Sequence, residues 1–297
     1  MKVPKIKIAL GFNIYLEHQL HYEKMEEKGR VKIPPRVQLG GGAWNMAKSF
    51  ENLASGTSPV VVAMSSMKES PESAAVEFLL ERELSISKLL PLKERMPSSF
   101  YLMPRNGKTW AFGDPGGKVK QINNRTAVVL ERVARWADIK VVTEVSDEKE
   151  ELRLTRMLLK KFRPKQVSVL LPSVKLLRSS VMEGLSREVD CLSFNEAEAR
   201  IFFGKNPVKN DLLNSPVPYI FLTRGPKEAW FKARNHVVSA RPRVIANPKL
   251  IAGAGDAALA ALVLAYFVHR RSADDSIEFA MSIGRATLLR PEPYFTR

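Results

Sequence analysis

Apolar and polar positions along the chain fall into two rhythms. In the first 118 residues short alternating runs dominate. Lys5-Ile6-Lys7-Ile8-Ala9-Leu10 alternates and stops at Gly11-Phe12-Asn13, which predicts a strand delivering a loop at its carboxyl end. Residues 30–38 alternate around Pro34-Pro35 and predict an edge strand, since proline cannot donate to a ladder. The run 60–64 predicts a buried strand and 71–82 a helix. Residues 99–103 and 109–112 predict a hairpin closed by Asn106-Gly107, a dipeptide that suits a two-residue primed turn. From residue 125 onward helical and strand patterns take turns: helices at 125–136 and 148–162, strands at 139–143, 167–171, 191–194 and 219–222, then a hairpin over 229–239. Such alternation predicts a mainly parallel sheet built from right-handed crossovers. The stretch 257–268 is apolar on all sides and predicts a buried helix, with a last helix at 273–289.

Composition adds limits. The 297 residues are 45% hydrophobic and 26% charged, enough for a substantial core in one large or two small domains. Forty-seven Lys and Arg against thirty-one Asp and Glu give +16, a balance that favours acidic partners such as nucleotides and phosphosugars. The cations are scattered, with no basic stripe and interleaved aromatics, so a solvated basic surface is preferred to a nucleic-acid groove. A single cysteine, Cys191, excludes an internal disulfide, and the four histidines show no zinc spacing. The expectation is a cytoplasmic protein with no targeting segment and no membrane span.

Candidate chemistry gathers at glycine corners. Gly253-Ala254-Gly255-Asp256 precedes the apolar run, so bare amides gather at a helix N-terminus where the helix dipole also favours an anion. Asp256 puts a carboxylate into that anion site, an arrangement suited to a general base beside a transferring phosphoryl group; a glycine turn with Asp as cap is the alternative. Gly40-Gly41-Gly42-Ala43-Trp44-Asn45 opens a second helix, where Gly41 and Gly42 would let a ligand approach backbone and Asn45 offers a donor and an acceptor to a polyol hydroxyl. Asn13 and Glu17, after the first strand, are further substrate candidates. Asn195 and Glu198, at i and i+3 on the first turn of a helix, would hold a hydrated Mg²⁺ near phosphates or else simply cap one another. Thr223 and Gly225 end a strand where a nucleotide phosphate could approach, with Arg224 and Lys227 adding charge. Arg105 and Lys118, at the margins of the hairpin, would meet an anionic substrate or serve as solvated charges.

In this order the motifs resemble the PfkB/ribokinase family of carbohydrate and nucleoside kinases, over nearly the whole chain. They are Gly11 after the first strand, Gly40-Gly41-x-Ala43-x-Asn45-x-Ala47, the Asn-Gly hairpin, Asn195-x-x-Glu198, Thr223-x-Gly225 and Gly253-Ala254-Gly255-Asp256. The resemblance implies one domain over residues 1–297, a ribokinase-like doubly wound α/β body with a small β lid from about 13–38 and 97–118. It implies transfer of the γ-phosphoryl group of ATP, with Mg²⁺, to a hydroxyl of a sugar, sugar phosphate, polyol or nucleoside. Asp256 would be the base, the turn Gly253, Ala254 and Gly255 the anion hole, and Asn195 with Glu198 the magnesium pair acting through water. Thr223 and Gly225 would line the nucleotide site, and Asn13, Gly41, Gly42, Asn45 and Arg105 the acceptor site. A homodimer through the lid is a further expectation, with no nucleic-acid or membrane partner.

The sequence departs from the family pattern in three places. Leu250-Ile251 stands where an Asp-Thr pair is common, which puts monovalent-cation activation in doubt. The family's substrate-binding Asp is missing, with Leu16 near its place and Glu17 next to it. Glu228 follows the Thr-x-Gly turn where glycine is frequent. Loss of the acid makes a phosphorylated acceptor more plausible, and Lys48 stands where phosphosugar kinases often carry Arg, though it also reads as an ordinary helix-surface lysine. The rival reading is a nucleotide-binding homologue that has lost catalysis.

Overall fold

The computed structural model describes residues 6–22, 36–53, 60–66, 78–79, 82, 87–90, 98–104, 110–114, 118–245, 248, 252–290 and 294–296. The strands are β1 (Lys7–Phe12), β2 (Tyr15–Tyr22), β3 (Arg36–Gly40), β4 (Val60–Ser66), β5 (Ser87–Leu90), β6 (Ser98–Pro104), β7 (Trp110–Asp114), β8 (Ile139–Val145), β9 (Val167–Pro172), β10 (Cys191–Asn195), β11 (Tyr219–Thr223), β12 (Ala229–Ala233) and β13 (His236–Ala240). The helices described here are α1 (Gly42–Leu53), α2 (Asn124–Trp136), α3 (Lys149–Leu159), α4 (Val174–Leu177), α5 (Val181–Glu188), α6 (Glu196–Phe203), α7 (Lys209–Asn214), α8 (Ala254–Leu262) and α9 (Ala273–Leu288).

Nine strands form one sheet in the order β13-β12-β11-β10-β9-β8-β1-β4-β5. From β11 to β5 every neighbouring pair is parallel, while β12 and β13 add an antiparallel edge. The side chains alternate between two cores. On β1, Ile8 and Leu10 join α1, α8 and α9 on one face, and Ala9 and Phe12 join α2 and α3 on the other. Strands covered on both faces carry apolar residues without alternation, which is why the runs at 60–64 and 219–222 read as buried strands. This is the doubly wound mainly parallel sheet expected from the sequence.

The chain runs from β1 outward to β4 and β5 on one side, and from β8 outward to β9, β10 and β11 on the other. The neighbours β1 and β8 therefore mark the point where strand order reverses, and a crevice opens there beyond the carboxyl ends of the strands.

A second sheet has the order β3-β2-β6-β7. It contains the expected hairpin, β6 against β7, and the expected edge strand, which is described from Arg36 onward. Its inner strand β2, parallel to β6, is an addition: Glu17 lies within this strand, paired with Gln38, and not in a loop after β1. Asn106-Gly107, Arg105, Leu250-Ile251 and most of the helix expected at 71–82 lie outside the described residues.

Helix boundaries shift in two places. The helix expected to reach residue 162 ends at Leu159, where buried Lys140 donates from Nζ to the carbonyls of Leu159 and Lys160 at 3.2 and 2.6 Å and closes the helix end. The apolar helix after Asp256 is α-helical only to Leu262 and continues as π-helix over Val263–Val268. Gln166, 3% exposed, ties the ends of α2 and α3 together. Its Nε2 donates to the carbonyls of Ala134 and Ala137 at 2.9 and 2.6 Å, and its Oε1 accepts from the amide of Phe162 at 2.7 Å.

Candidate active site

The carboxyl ends of the parallel strands deliver their polar residues to one side of the sheet. Asn13 follows β1, Glu144 stands near the end of β8, Asn195 ends β10 and Thr223 ends β11. Gly41 and Asn45 arrive at the start of α1, and Gly253 and Asp256 at the start of α8.

Gly41 shows why the first helix opens with glycine. Its φ is +99°, and a Cβ there would run into the carbonyl of Asn13, so only glycine lets the turn close against β1. The backbone then bonds across the corner, with the amide of Ala43 donating to the Asn13 carbonyl at 3.2 Å. Gly42 packs against Thr143 of β8. This corner aims Asn45, 6% exposed, across the crevice, where its Nδ2 donates to Oδ2 of Asp256 at 2.9 Å. Oδ1 of Asn45 and Oγ1 of Thr143 are buried without a partner, an uncommon state for buried polar atoms.

Gly253 caps α8 with φ +80°. No side chain caps the helix, so its first-turn amides have no side-chain acceptor. Space beside Gly255 is open. The Asp256 carboxyl sits deep among protein atoms, and burial raises its pKa from 3.8 to about 6, with Asn45 pulling down and the charge of Glu198 pushing up.

Glu144 was not singled out from the sequence. Its φ is +54° and the β8–β9 register slips between Thr143 and Val145, so a bulge turns its carboxylate out of the sheet. There it accepts a hydrogen bond from Nδ2 of Asn13. Its side chain keeps a solvent-exposed edge, yet crowding by protein atoms raises its pKa to about 7, and the charges of Asp256 and Glu198 add to the rise. The available signal was a carboxylate interrupting Ile139-Lys140-Val141-Val142-Thr143-Glu144-Val145 at the carboxyl end of a parallel strand.

Asn195 and Glu198 form a reciprocal cap. The Glu198 amide donates to Asn195 Oδ1 at 3.0 Å and the Asn195 amide to Glu198 Oε2 at 2.8 Å. Burial raises the pKa of Glu198. The capping alternative is what the geometry displays, and the charge of Glu198 acts on Asp256 and Glu144. Among the described residues no group of three or more His, Cys, Asp or Glu side chains could hold a metal directly. The pair therefore fits a magnesium ion only through water, by the remaining carboxylate oxygen of Glu198.

Thr223 donates from Oγ1 to the Phe194 carbonyl at 3.4 Å, and Gly225 lies exposed beside open space. Arg224 and Lys227, expected as phosphate cations, both pair with Glu196, at 3.3 and 3.0 Å, and Arg224 also stacks over Trp230 at 4.3 Å. These contacts hold the turn after β11 and leave little free charge. Lys48 packs over Trp44 and lies 3.5 Å from Glu51, and Lys118 is exposed. Arg105 cannot be placed.

A doubly wound sheet, a small second sheet and a helix N-terminus bearing Asp256 at the strand-order reversal define a ribokinase-like phosphotransferase. The chain belongs to the pfkB family: residues 120–296 match the description "pfkB family carbohydrate kinase". Phosphofructokinase-2 from Escherichia coli, in complex with substrates and products, superimposes with a TM-score of 0.79 at 16% identity, over 99% of this chain and 96% of that one. Adenosine kinase from Sinorhizobium meliloti gives 0.74 at 14% identity, over 98% and 95%. No curated protein matches the sequence. Family membership makes the chain a carbohydrate-type kinase acting on a small molecule and implies use of ATP. Among the described residues no helix is long and apolar enough to cross a membrane.

Proposed function

We propose that the chain transfers the γ-phosphoryl group of ATP to a hydroxyl of a sugar, sugar phosphate, polyol or nucleoside, with Asp256 as general base. The observation that carries this reading is the setting of Asp256: a carboxylate held at 2.9 Å by Asn45, ionising near neutrality, on the first turn of a helix whose amides have no side-chain cap. A carboxylate with a raised pKa is a better proton acceptor while still largely ionised at pH 7. The acceptor hydroxyl lies between Asp256 and the amides of Ala254 and Gly255, which stabilise charge on the transferring group.

The acceptor is held by Asn13, Gly41, Gly42, Asn45 and Glu144, the last supported by its bond with Asn13. The buried, unpartnered Asn45 Oδ1 and Thr143 Oγ1 are matched to acceptor hydroxyls. Glu144 supplies a carboxylate at the strand-order reversal, a handle that offsets the family Asp missing near Leu16. Thr223 and Gly225 line the nucleotide side, and Asn195 with Glu198 would hold hydrated magnesium, which neutralises phosphate charge when bound. The sheet β3-β2-β6-β7 acts as the lid, closing the crevice against water.

The test is a screen with Mg²⁺-ATP against sugars, sugar phosphates, polyols and nucleosides, reading ADP release, with Asp256→Asn alongside. Release with one acceptor, lowered about 10²–10⁴-fold in the variant, supports the reading. Nucleotide binding without turnover on any acceptor would favour a non-catalytic homologue.

A further inference from the structure

At the opposite end of the sheet, the amino ends of β9 and β11 and the turns joining their neighbours enclose a second cavity of about 750 Å³. Five cations line it: Lys161, Lys165, Lys232, Arg234 and Arg270. The one carboxylate in its wall, Asp190, is already engaged, by Lys161 and by the amide and hydroxyl of Ser168 at 2.8 and 2.9 Å. None of Lys165, Lys232, Arg234 and Arg270 forms an ion pair among the described residues. Lys232 is 3% exposed and donates only to the carbonyls of Leu213 and Ser215, at 3.2 and 2.6 Å. Three N–H groups and two protein acceptors leave it one hydrogen for a ligand. Arg234, its guanidinium bonded to the Tyr219 hydroxyl at 3.0 Å, and Arg270 both sit at φ +57°, a conformation rarely adopted by residues with a side chain.

We infer that this cavity is a second binding site, for a small molecule carrying two or more phosphate groups. Four unpaired cations gathered around one concavity repel each other, and a polyanion offsets that repulsion while bonding to Arg forks and Lys ammonium groups. The volume suits a ligand of nucleotide or bisphosphate size. The site is separate from the crevice: β11 runs from Tyr219 at the cavity to Thr223 at the nucleotide side, about 13 Å at the usual rise per strand residue.

Inorganic tripolyphosphate is the probe, titrated calorimetrically into the full chain with excess AMP present, which carries one phosphate and occupies the crevice without meeting the requirement of the second site. Arg234→Asn with Arg270→Asn removes two cations while keeping a residue that tolerates positive φ. Binding that persists under AMP and weakens tenfold or more in the double variant is the expected result. Lys165→Gln, exposed and remote from the core, should weaken it several-fold and serves alone should the double variant not fold. Affinity equal to the parent in these variants, or binding wholly displaced by AMP, would overturn the proposal.

Discussion

A carboxyl that loses its proton near pH 6 instead of near 3.8 makes turnover depend on pH on the acid side. If Asp256 takes the proton, kcat/KM should fall tenfold per unit below about pH 6, because the protonated acid cannot accept another. Asn45 donates to the ionised form and pulls this pKa down, so Asn45→Ala should move the acid limb to higher pH, a shift read from the rate profile alone. The same carboxyl affects stability with a definite sign. Its pKa is raised in the folded state, so its contribution is fully present below about pH 3.8 and is lost as pH rises through about 6. Asp256→Asn should therefore melt higher than the parent at pH 8, with the difference vanishing near pH 4. At the neighbouring corner, Gly41→Ala forces a Cβ onto the Asn13 carbonyl at positive φ; a cost of about 1–3 kcal/mol in denaturant melts, together with loss of activity, is expected.

Between elements, Gln166 joins two helix ends that neither helix satisfies by itself. Gln166→Leu keeps the volume but strips partners from the carbonyl of Ala134 and the amide of Phe162, while the Ala137 carbonyl keeps Arg163 Nη2 at 3.0 Å. A loss of about 2–6 kcal/mol in urea unfolding is expected, at about 1–3 kcal/mol for each of the two stranded groups. None of this shows in a pattern of apolar positions, because a buried glutamine looks like any polar residue until its partners are in place. The parallel strands and the last two helices were legible, since burial on both faces leaves long apolar runs. The strand at Tyr15–Tyr22 was not, because Glu17, His18, Gln19 and His21 break the apolar run that marks a core strand. At the site, Asp256, Asn45 and Gly41 were legible from glycines next to helix starts. Glu144 was hidden because a bulge, not a motif, turns it into the crevice. The pair Asn195 and Glu198 shows the limit of spacing: i and i+3 fits a cap and a water-held ion equally, and the structure displays the cap.

Over the whole molecule, the proposed lid role of the four-stranded sheet has a readout in amide exchange. With the four-stranded sheet as lid, amide exchange in β2 and β6 should slow when nucleotide and acceptor bind together, more than with either alone. Exchange unchanged by both ligands would remove the lid from the mechanism.

The bond from Asn45 to Asp256 and the bond from Asn13 to Glu144 each join the first third of the chain to the remainder. The family match begins only at residue 120, yet β1 lies inside the sheet, between β4 and β8. Cutting the polypeptide between β7 and α2 would thus divide it into two pieces, each holding half of the chemistry and an exposed sheet edge shaped for the other. Expressed separately they should be inert; expressed together they should reassemble through the β1–β8 ladder and regain phosphorylation, which would make this chain a natural split reporter.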